Sequence, residues 1–583
     1  MAKKKFSAED IDNNILFGMK NGEFYGLSMN NKLVNRSANA LIIGGTGTGK
    51  TYKYVKPNLL QENCSMIVTD PSGDIFKSFA PYLISRGYNV QLFNVSDPTY
   101  SCFYNPLNYI YDTSGKISEL AVEVLISLFV ENAKTTPEGG GGSQDPFWET
   151  AEKMLLQGIM YYVLECDDFP KEKKTFRQIY SLIQEAKVDD DSDEENPLTQ
   201  QIITWDERMR ATGKTPKTMD YYKSFMVTPQ KTANTVVTEC LNDLKIFVTE
   251  DIARVTSYNE TYKDANIDLD KIAAQQSYLF LCIPQTHKAF NFLVTMLYAQ
   301  LYNRLYELGE KALRNKWHIG YRVGTPIFDY FNSEEEAKEF YETVNKKDNI
   351  VEKDYMNGTK IYHLMWHGHS FKSSFVKKAL EESIDSLDRM YIWSGDELAG
   401  GDPALSVQVI FLLDEFANLP PIPEFLTKLA TCRKYRIGSH IIIQNTGQIE
   451  TIYSKGNKQH ENLFANVDTT IFLGSIKQED KEFIQKAIGK TTIRQKSTSM
   501  SKSGRSTSYT PTQVDVLSID QIEQLNKGRR DDCIVIVRDC TPMVLNKLLL
   551  NKHPRYKLVK KCKIKEKDLR RYYTNNRSEL TFF

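Results

Sequence analysis

The chain has 583 residues, with 74 Lys plus Arg balancing 74 Asp plus Glu and a 41% hydrophobic fraction. That length supports a large core and two or three domains, and zero net charge leaves any contact with nucleic acid to local patches. No stretch approaches the roughly 18 uninterrupted apolar residues of a membrane span, the MAKKKFSAED start lacks the apolar core of a secretory signal, and nine cysteines without a CxxC pair read as reduced cytosolic thiols.

Eight apolar runs follow along the chain: ALIIG at 40–44, SMIVTD at 65–70, VQLF at 90–93, YLFLCIP at 278–284, VIFLLD at 409–414, SHIIIQ at 439–444, TTIFLG at 469–474 and CIVIVRD at 533–539. They are continuous rather than alternating, which predicts strands buried on both faces of a mostly parallel sheet. Helical patterns at 50–60, 287–309 and 424–435 lie between them, so the fold class is α/β. Residues 116–265 show amphipathic helical patterns, a flexible EGGGGS and an acidic DDDSDEE, but no convincing strand. The expected organisation is a nucleotide-binding domain from 1–115, 266–311 and 403–550, interrupted by an all-α insertion at 116–265 and a charged, Tyr-rich insertion at 312–402. The Ser/Thr-rich segment 497–510 reads as a mobile loop. A basic tail follows at 551–583, with ten Lys or Arg against two acids from Lys552 to Arg571; it could touch DNA phosphates or an anionic membrane surface, or stay solvated.

Residues 44–51 read GGTGTGKT, matching GxxxxGK[ST] between a strand and a helical stretch. Gly44, Gly45, Thr46, Gly47, Thr48 and Gly49 would let backbone N–H groups close around phosphate oxygens, Lys50 reaches the β and γ phosphates, and the Thr51 hydroxyl takes a Mg²⁺ position. Four fixed positions should match by chance in only about 2% of chains this long. Such a site needs an acid at a neighbouring strand tip. Asp414 fits the Mg²⁺ role, and Glu415 can polarise the attacking water. DPSG at 70–73 and NKKD at 345–348 match GTPase motifs literally. NKKD does not follow an apolar strand, however, and the adjacent Asp–Glu pair suits an ATPase with a catalytic glutamate better. Downstream, Gln444 ends a strand where a polar side chain could sense the γ-phosphate. Arg433, with Arg436 as the other choice, could offset transition-state charge within the chain or from an adjacent subunit. His363, His367 and His369 have metal-compatible spacing without an acid or cysteine close by, which favours packing and surface roles.

Together, NALIIGGTGTGKT, IVTDPSGDIF, YNPL, LLDEFANLPPIPEF, LATCRKYRIGSHIIIQ and TTIFLGS resemble the coupling-protein ATPases of type IV secretion and conjugation, over most of 36–310 and 405–545. The resemblance implies a RecA-like P-loop motor domain with an inserted all-α domain, working as a homo-hexameric ring on ATP and Mg²⁺. It implies delivery of single-stranded DNA with its attached relaxase to a secretion channel, in contact with channel ATPases and inner-membrane components. The family's P-loop lysine and hydroxyl fall on Lys50 and Thr51, its Mg²⁺ acid and catalytic glutamate on Asp414 and Glu415, and its motif arginine and glutamine on Arg433 and Gln444. Its DPKG-like turn appears as Asp70–Gly73, with Ser72 in the lysine position. The usual N-terminal anchor is missing, so the expected location is cytoplasmic, or the cytoplasmic membrane face if an anchor was removed or is separate. A protein-substrate receptor with ATPase as a switch, and a double-stranded DNA pump, are the alternative readings.

Overall fold

The computed structural model describes residues 14–29, 36–112, 115–135, 146–187, 196–283, 291–314, 317–321, 329–331, 350–356, 359–366, 369–372, 390–394, 405, 407–453, 458–501, 504–527, 530–564 and 569. In chain order its strands are β1 (Asn14–Lys20), β2 (Glu23–Ser28), β3 (Ala40–Gly44), β4 (Ser65–Thr69), β5 (Asn89–Asn94), β6 (Ser277–Cys282), β7 (Trp317–Tyr321), β8 (Asp329–Phe331), β9 (Ile350–Met356), β10 (Thr359–Trp366), β11 (His369–Lys372), β12 (Met390–Ser394), β13 (Val409–Leu413), β14 (Ile437–Ile443), β15 (Thr469–Gly474), β16 (Lys490–Ser501), β17 (Gly504–Asp515), β18 (Asp532–Val537) and β19 (Met543–Asn546). The chain divides into two compact units, Met1–Leu305 with Val407–Phe583, and Tyr306–Ser406.

The first unit is built on an 11-stranded sheet in the order β2-β1-β19-β18-β15-β3-β14-β13-β4-β6-β5. From β15 to β5 every pairing is parallel, and from β15 to β2 every pairing is antiparallel. All eight apolar runs become strands of this sheet, and the α/β class holds. Every residue of β3, β4, β6, β13 and β14 is buried, as continuous apolar runs require when helices cover both faces.

On one face, Ile75, Phe76, Phe79 and Leu83 of helix Asp74–Ser85 join Ile42, Val68, Phe280 and Leu412 in the core. The opposite face holds helix Asn291–Arg314, whose Tyr302 ring stacks on Phe411 at 3.9 Å and 11°. The Tyr302 hydroxyl bonds the Ser439 hydroxyl at 2.7 Å, so this ring is packed without leaving its polar end unpaired. Among the described residues no helix is long and apolar enough to cross a membrane. The nine cysteines form no disulfide, and seven are buried.

Two buried histidines set a pH dependence. His440 on β14 faces the Tyr54 hydroxyl at 3.2 Å, and burial draws its pKa down to about 3. His553 is lowered to about 4, first by burial and then by Arg555. Unfolded histidine titrates near 6.5, so between the folded and unfolded values the unfolded chain binds more protons. The stabilisation from neutral His440 is complete above the unfolded value and is lost as pH falls toward 3. The urea midpoint is therefore expected to decline below about pH 6.5, and less steeply in His440→Gln; equal slopes in the two proteins would refute the assignment to His440.

Between Glu119 and Val255 the described residues form helices only: Glu119–Thr135, Pro146–Glu165, Phe176–Glu185, Pro197–Ala211, Thr218–Met226, Gln230–Leu244 and Glu250–Val255, with a short 3-10 turn at Lys171–Lys173 and another at Lys245–Val248. Phe129, Phe176 and Phe247 make their aromatic centre, with ring centroids 4.7–5.8 Å apart. Gly158 permits close packing, because a Cβ there would lie 3.1 Å from the Tyr222 backbone. The second unit contains two three-stranded antiparallel sheets, β11-β10-β9 and β12-β7-β8. His363 sits in β10 and His369 in β11, while His367 and NKKD lie outside the described residues.

Two segments differ from expectation. Residues 490–515, expected to be a mobile loop over 497–510, form the long hairpin β16–β17, paired in unbroken register from Lys490↔Asp515 to Ser501↔Gly504. Its Ser and Thr residues carry no apolar alternation, so pattern alone did not reveal it; β-branched Thr and cross-strand pairs sustain it. The basic segment after Leu550 is folded up to Ile564: Tyr556, Val559, Cys562 and Ile564 pack against the main core, and Arg555 Nη1 donates to the Leu60 and Gln61 carbonyls at 3.0 and 2.6 Å. An i, i+3 apolar pair anchors the helix Tyr556–Lys561 while its lysines stay outward.

Candidate active site

β3 delivers the chain to Gly44, and the loop folds back on itself. Gly45 N donates to the Gly474 carbonyl at 2.9 Å, and Thr48 N and Oγ1 donate to the Gly45 carbonyl at 3.2 and 2.7 Å. Thr46 and Gly47 stand exposed at the crown. Gly49 has φ +86°, a left-handed backbone that favours glycine, and the Lys53 side chain lies against the space a Cβ would fill. A wide helical turn at Thr51–Val55 leads into Lys56–Leu59. Lys50 Nζ donates to the Gly44 carbonyl at 2.7 Å. Burial lowers the Lys50 pKa, while Asp414 and Glu415 hold it up. An ammonium held on a single carbonyl in this loop can exchange that partner for phosphate oxygens.

β13 ends two strands away from β3, with β14 between. Asp414 is 4% exposed; its Oδ2 accepts from the Thr51 hydroxyl at 2.8 Å and its Oδ1 from the Glu415 N–H at 3.0 Å. Burial raises its pKa, opposed by the Thr51 bond and Lys50. Glu415 adopts φ +53°, a left-handed conformation costing a non-glycine residue on the order of 1–3 kcal/mol. That turn separates the two successive carboxylates. Glu415 Oε2 accepts from Asn418 Nδ2 at 2.9 Å, and burial followed by the Asp414 charge raises its pKa, the direction a general base needs.

Thr51 Oγ1 and Asp414 Oδ2, two hard oxygens, therefore lie together beside the phosphate loop. Adjacent ligands of an octahedral Mg²⁺ lie about 2.9 Å apart given metal–oxygen distances near 2.1 Å. The pair at 2.8 Å fits that requirement.

Gln444 follows β14 on the same edge of the sheet, beside the loop strand; its N–H donates to Gln448 Oε1 at 2.9 Å. Arg433 is not brought to this edge. It lies in the turn Cys432–Tyr435 ahead of β14, a seven-residue strand, about 23 Å long, whose far end carries Gln444. Arg436 also precedes β14, with φ +60°, and its guanidinium pKa is lowered by burial while Cys64 opposes. Neither arginine can reach a nucleotide on its own chain's loop.

Asp70 caps a helix: its Oδ2 accepts from Phe76 N at 2.7 Å. Its Oδ1 has no hydrogen-bond partner, and burial raises the pKa to about 6 despite the backbone bonds. Ser72 Oγ accepts from Asp74 N at 3.3 Å, so DPSG here is a helix start.

Sequence reasoning missed two supports of the site. Lys547, 4% exposed, donates to the Thr48 carbonyl at 3.4 Å and pairs with Asp531 at 3.2 Å, and Asp531 also holds Lys53. Asp480 is fully buried and joins two strand tips: Oδ1 accepts from Thr446 N and Oγ1 at 2.8 and 2.7 Å, and Oδ2 from Ser475 Oγ at 2.5 Å. β14 and β15, which lead to those tips, flank β3. No local motif marks Lys547 or Asp480. Asn418, three residues after Glu415, was within reach of inspection.

A family model described as Type IV secretory system Conjugative DNA transfer matches residues 1–316, more than half of the chain. The chain belongs to that family. It is the family its motifs resemble. A second model, the TraM recognition site of TraD and TraG, matches residues 408–527. Among curated relatives, Protein VirD4 of Agrobacterium fabrum is 28% identical over 144 residues, 24% of this chain and 21% of the relative. Protein VirD4 of Rhizobium rhizogenes is 33% identical over 95 residues, 16% of this chain and 14% of the relative. The matched stretches thus span about a fifth or less of those relatives. Among solved structures, plasmid coupling protein TrwB in complex with ADP and Mg²⁺ aligns with TM-score 0.49 at 12% identity, over 88% of this chain and 86% of that one. The same protein with the non-hydrolysable ATP analogue ADPNP gives 0.47 at 12%, over 88% and 85%. Likeness at that level carries no weight for the fold, which rests on the sheet topology above.

Proposed function

We propose that this chain is the ATP-hydrolysing motor that drives single-stranded DNA, with its attached relaxase, into a type IV secretion channel, working in the cytoplasm, or at the cytoplasmic membrane face if an anchor was removed or is separate. The observation that carries the reading is the Thr51–Asp414 contact at 2.8 Å beside Lys50. Membership of a family described as conjugative DNA transfer supports DNA as the cargo.

In this reading the loop 44–49 and Lys50 bind the β and γ phosphates of ATP. Thr51 and Asp414 hold Mg²⁺, which neutralises charge on the phosphate oxygens when bound. Glu415, steadied by Asn418, orients the attacking water and takes its proton. Gln444 senses the γ-phosphate from the tip of β14. Arg433 serves the site of a neighbouring copy, because β14 separates it from its own; this argues for a ring, as a homo-hexamer in the family resemblance. The domain limits above are proposed to follow these roles, with 116–265 as the all-α insertion.

ATPase rate with single-stranded DNA, duplex DNA and none tests the reading. Stimulation strongest with single strands is expected. Equal rates in all three would sink the DNA motor and leave the receptor, and strong duplex preference would point to a double-stranded pump.

A further inference from the structure

The hairpin β16–β17 stands apart from the 11-stranded sheet. Its two strands pair only with each other, and residues 490–498 and 507–511 are exposed. A two-stranded ribbon alone in water is marginally stable, so its length needs a partner or a purpose. Between Thr491 and Val514 the sequence carries Arg494, Lys496, Lys502 and Arg505 and no Asp or Glu.

Register sorts the side chains. Residues two apart on a strand share a face, so Lys490, Arg494 and Lys496 stand on one side. Tyr509 is opposite Lys496 and therefore on that side too, 62% exposed. Thr491, Ile493, Gln495 and Ser497 occupy the other side, opposite Val514, Thr512, Thr510 and Ser508. One face thus carries Arg494 and Lys496 with an open aromatic ring, and at its base Lys490 opposite Asp515; the other face is neutral.

We propose that the Lys490–Asp515 ribbon is a nucleic-acid contact surface, with Arg494 and Lys496 on successive phosphates, Lys490 further along the same strand of phosphates, and Tyr509 stacked on a base. The inference rests on the DNA-motor reading and deepens it. Arg494 and Lys496 are two residues apart, about 7 Å along the strand, and Lys490 extends the row to about 20 Å. That is a line of charge for a chain of phosphates rather than a pocket for one anion. Base stacking tolerates any sequence, as a translocating contact requires.

The test is anisotropy of a labelled oligothymidine with the full chain across a salt series. Replacing Lys490→Ser, Arg494→Ser and Lys496→Ser together should weaken binding and reduce the slope of log affinity against log salt by about 2, near 0.7 per lost single-strand phosphate. Tyr509→Ser should lose roughly tenfold, while Tyr509→Phe keeps near wild-type affinity. Basal ATPase without DNA monitors folding of each variant. An unchanged salt slope with intact wild-type binding overturns the ribbon assignment and leaves the motor reading standing. So does a triple variant that loses only affinity for anionic vesicles, or only self-association in sedimentation. If the wild-type chain binds no nucleic acid, the motor reading and the ribbon fall together.

Discussion

Glu415→Gln is expected to bind ATP near wild-type affinity and to hydrolyse it roughly 10²- to 10⁴-fold more slowly, the usual range for a lost general base. Glutamine preserves size and can keep the hydrogen bond to Asn418, so positioning survives and proton acceptance does not. It also inherits the left-handed backbone at φ +53°, so any conformational penalty is the same in both proteins. Nucleotide binding and single-turnover hydrolysis separate the two effects. A variant that hydrolyses at the wild-type rate would remove Glu415 from the chemistry. One that fails to bind would make it a structural residue of the loop.

The second large effect is expected at Arg433. An arginine that offsets transition-state charge is worth about 10³–10⁵ in rate, so Arg433→Ala should lose activity on that scale with ATP affinity little changed. The length of β14 adds a sharper consequence. If Arg433 acts only on a neighbour's nucleotide, Arg433→Ala and Glu415→Gln chains should each be nearly inactive but regain hydrolysis when mixed in one assembly. An interface taking Arg433 from the Glu415→Gln copy and Glu415 from the Arg433→Ala copy is complete. Absence of recovery in mixtures shown to co-assemble would rule out action between copies.

Much of this was legible in the residues themselves. Parallel strands buried on both faces must be continuous apolar runs, and all eight such runs entered one sheet. GGTGTGKT and VIFLLDE specify their own local geometry. The remote placing of Arg433 was also implicit: in a parallel sheet with its site at the strands' C-terminal edge, an arginine before β14 belongs to the other edge. Less visible were β1, β2 and β19, short strands with mixed composition on the antiparallel side. The hairpin β16–β17 lacked a buried face to set a pattern. Lys547 meets Thr48 across 499 residues of chain, and Asp480 meets Thr446 across 34; such buried ion and hydrogen-bond partners leave no periodic trace.

Asp480 gives the molecule a drive train. Its carboxylate hydrogen-bonds to the tips of β14 and β15 on either side of the phosphate loop, tying one tip to the other. It also sits in the first turn of helix Gln478–Ile488, an eleven-residue rod about 16 Å long. That rod ends at Gly489, where the ribbon begins. If Gln444 senses the γ-phosphate as proposed, a displacement there has a short, stiff route to Lys490. Cutting the coupling with Asp480→Asn should uncouple fuel from stroke: hydrolysis would continue while DNA no longer accelerated it.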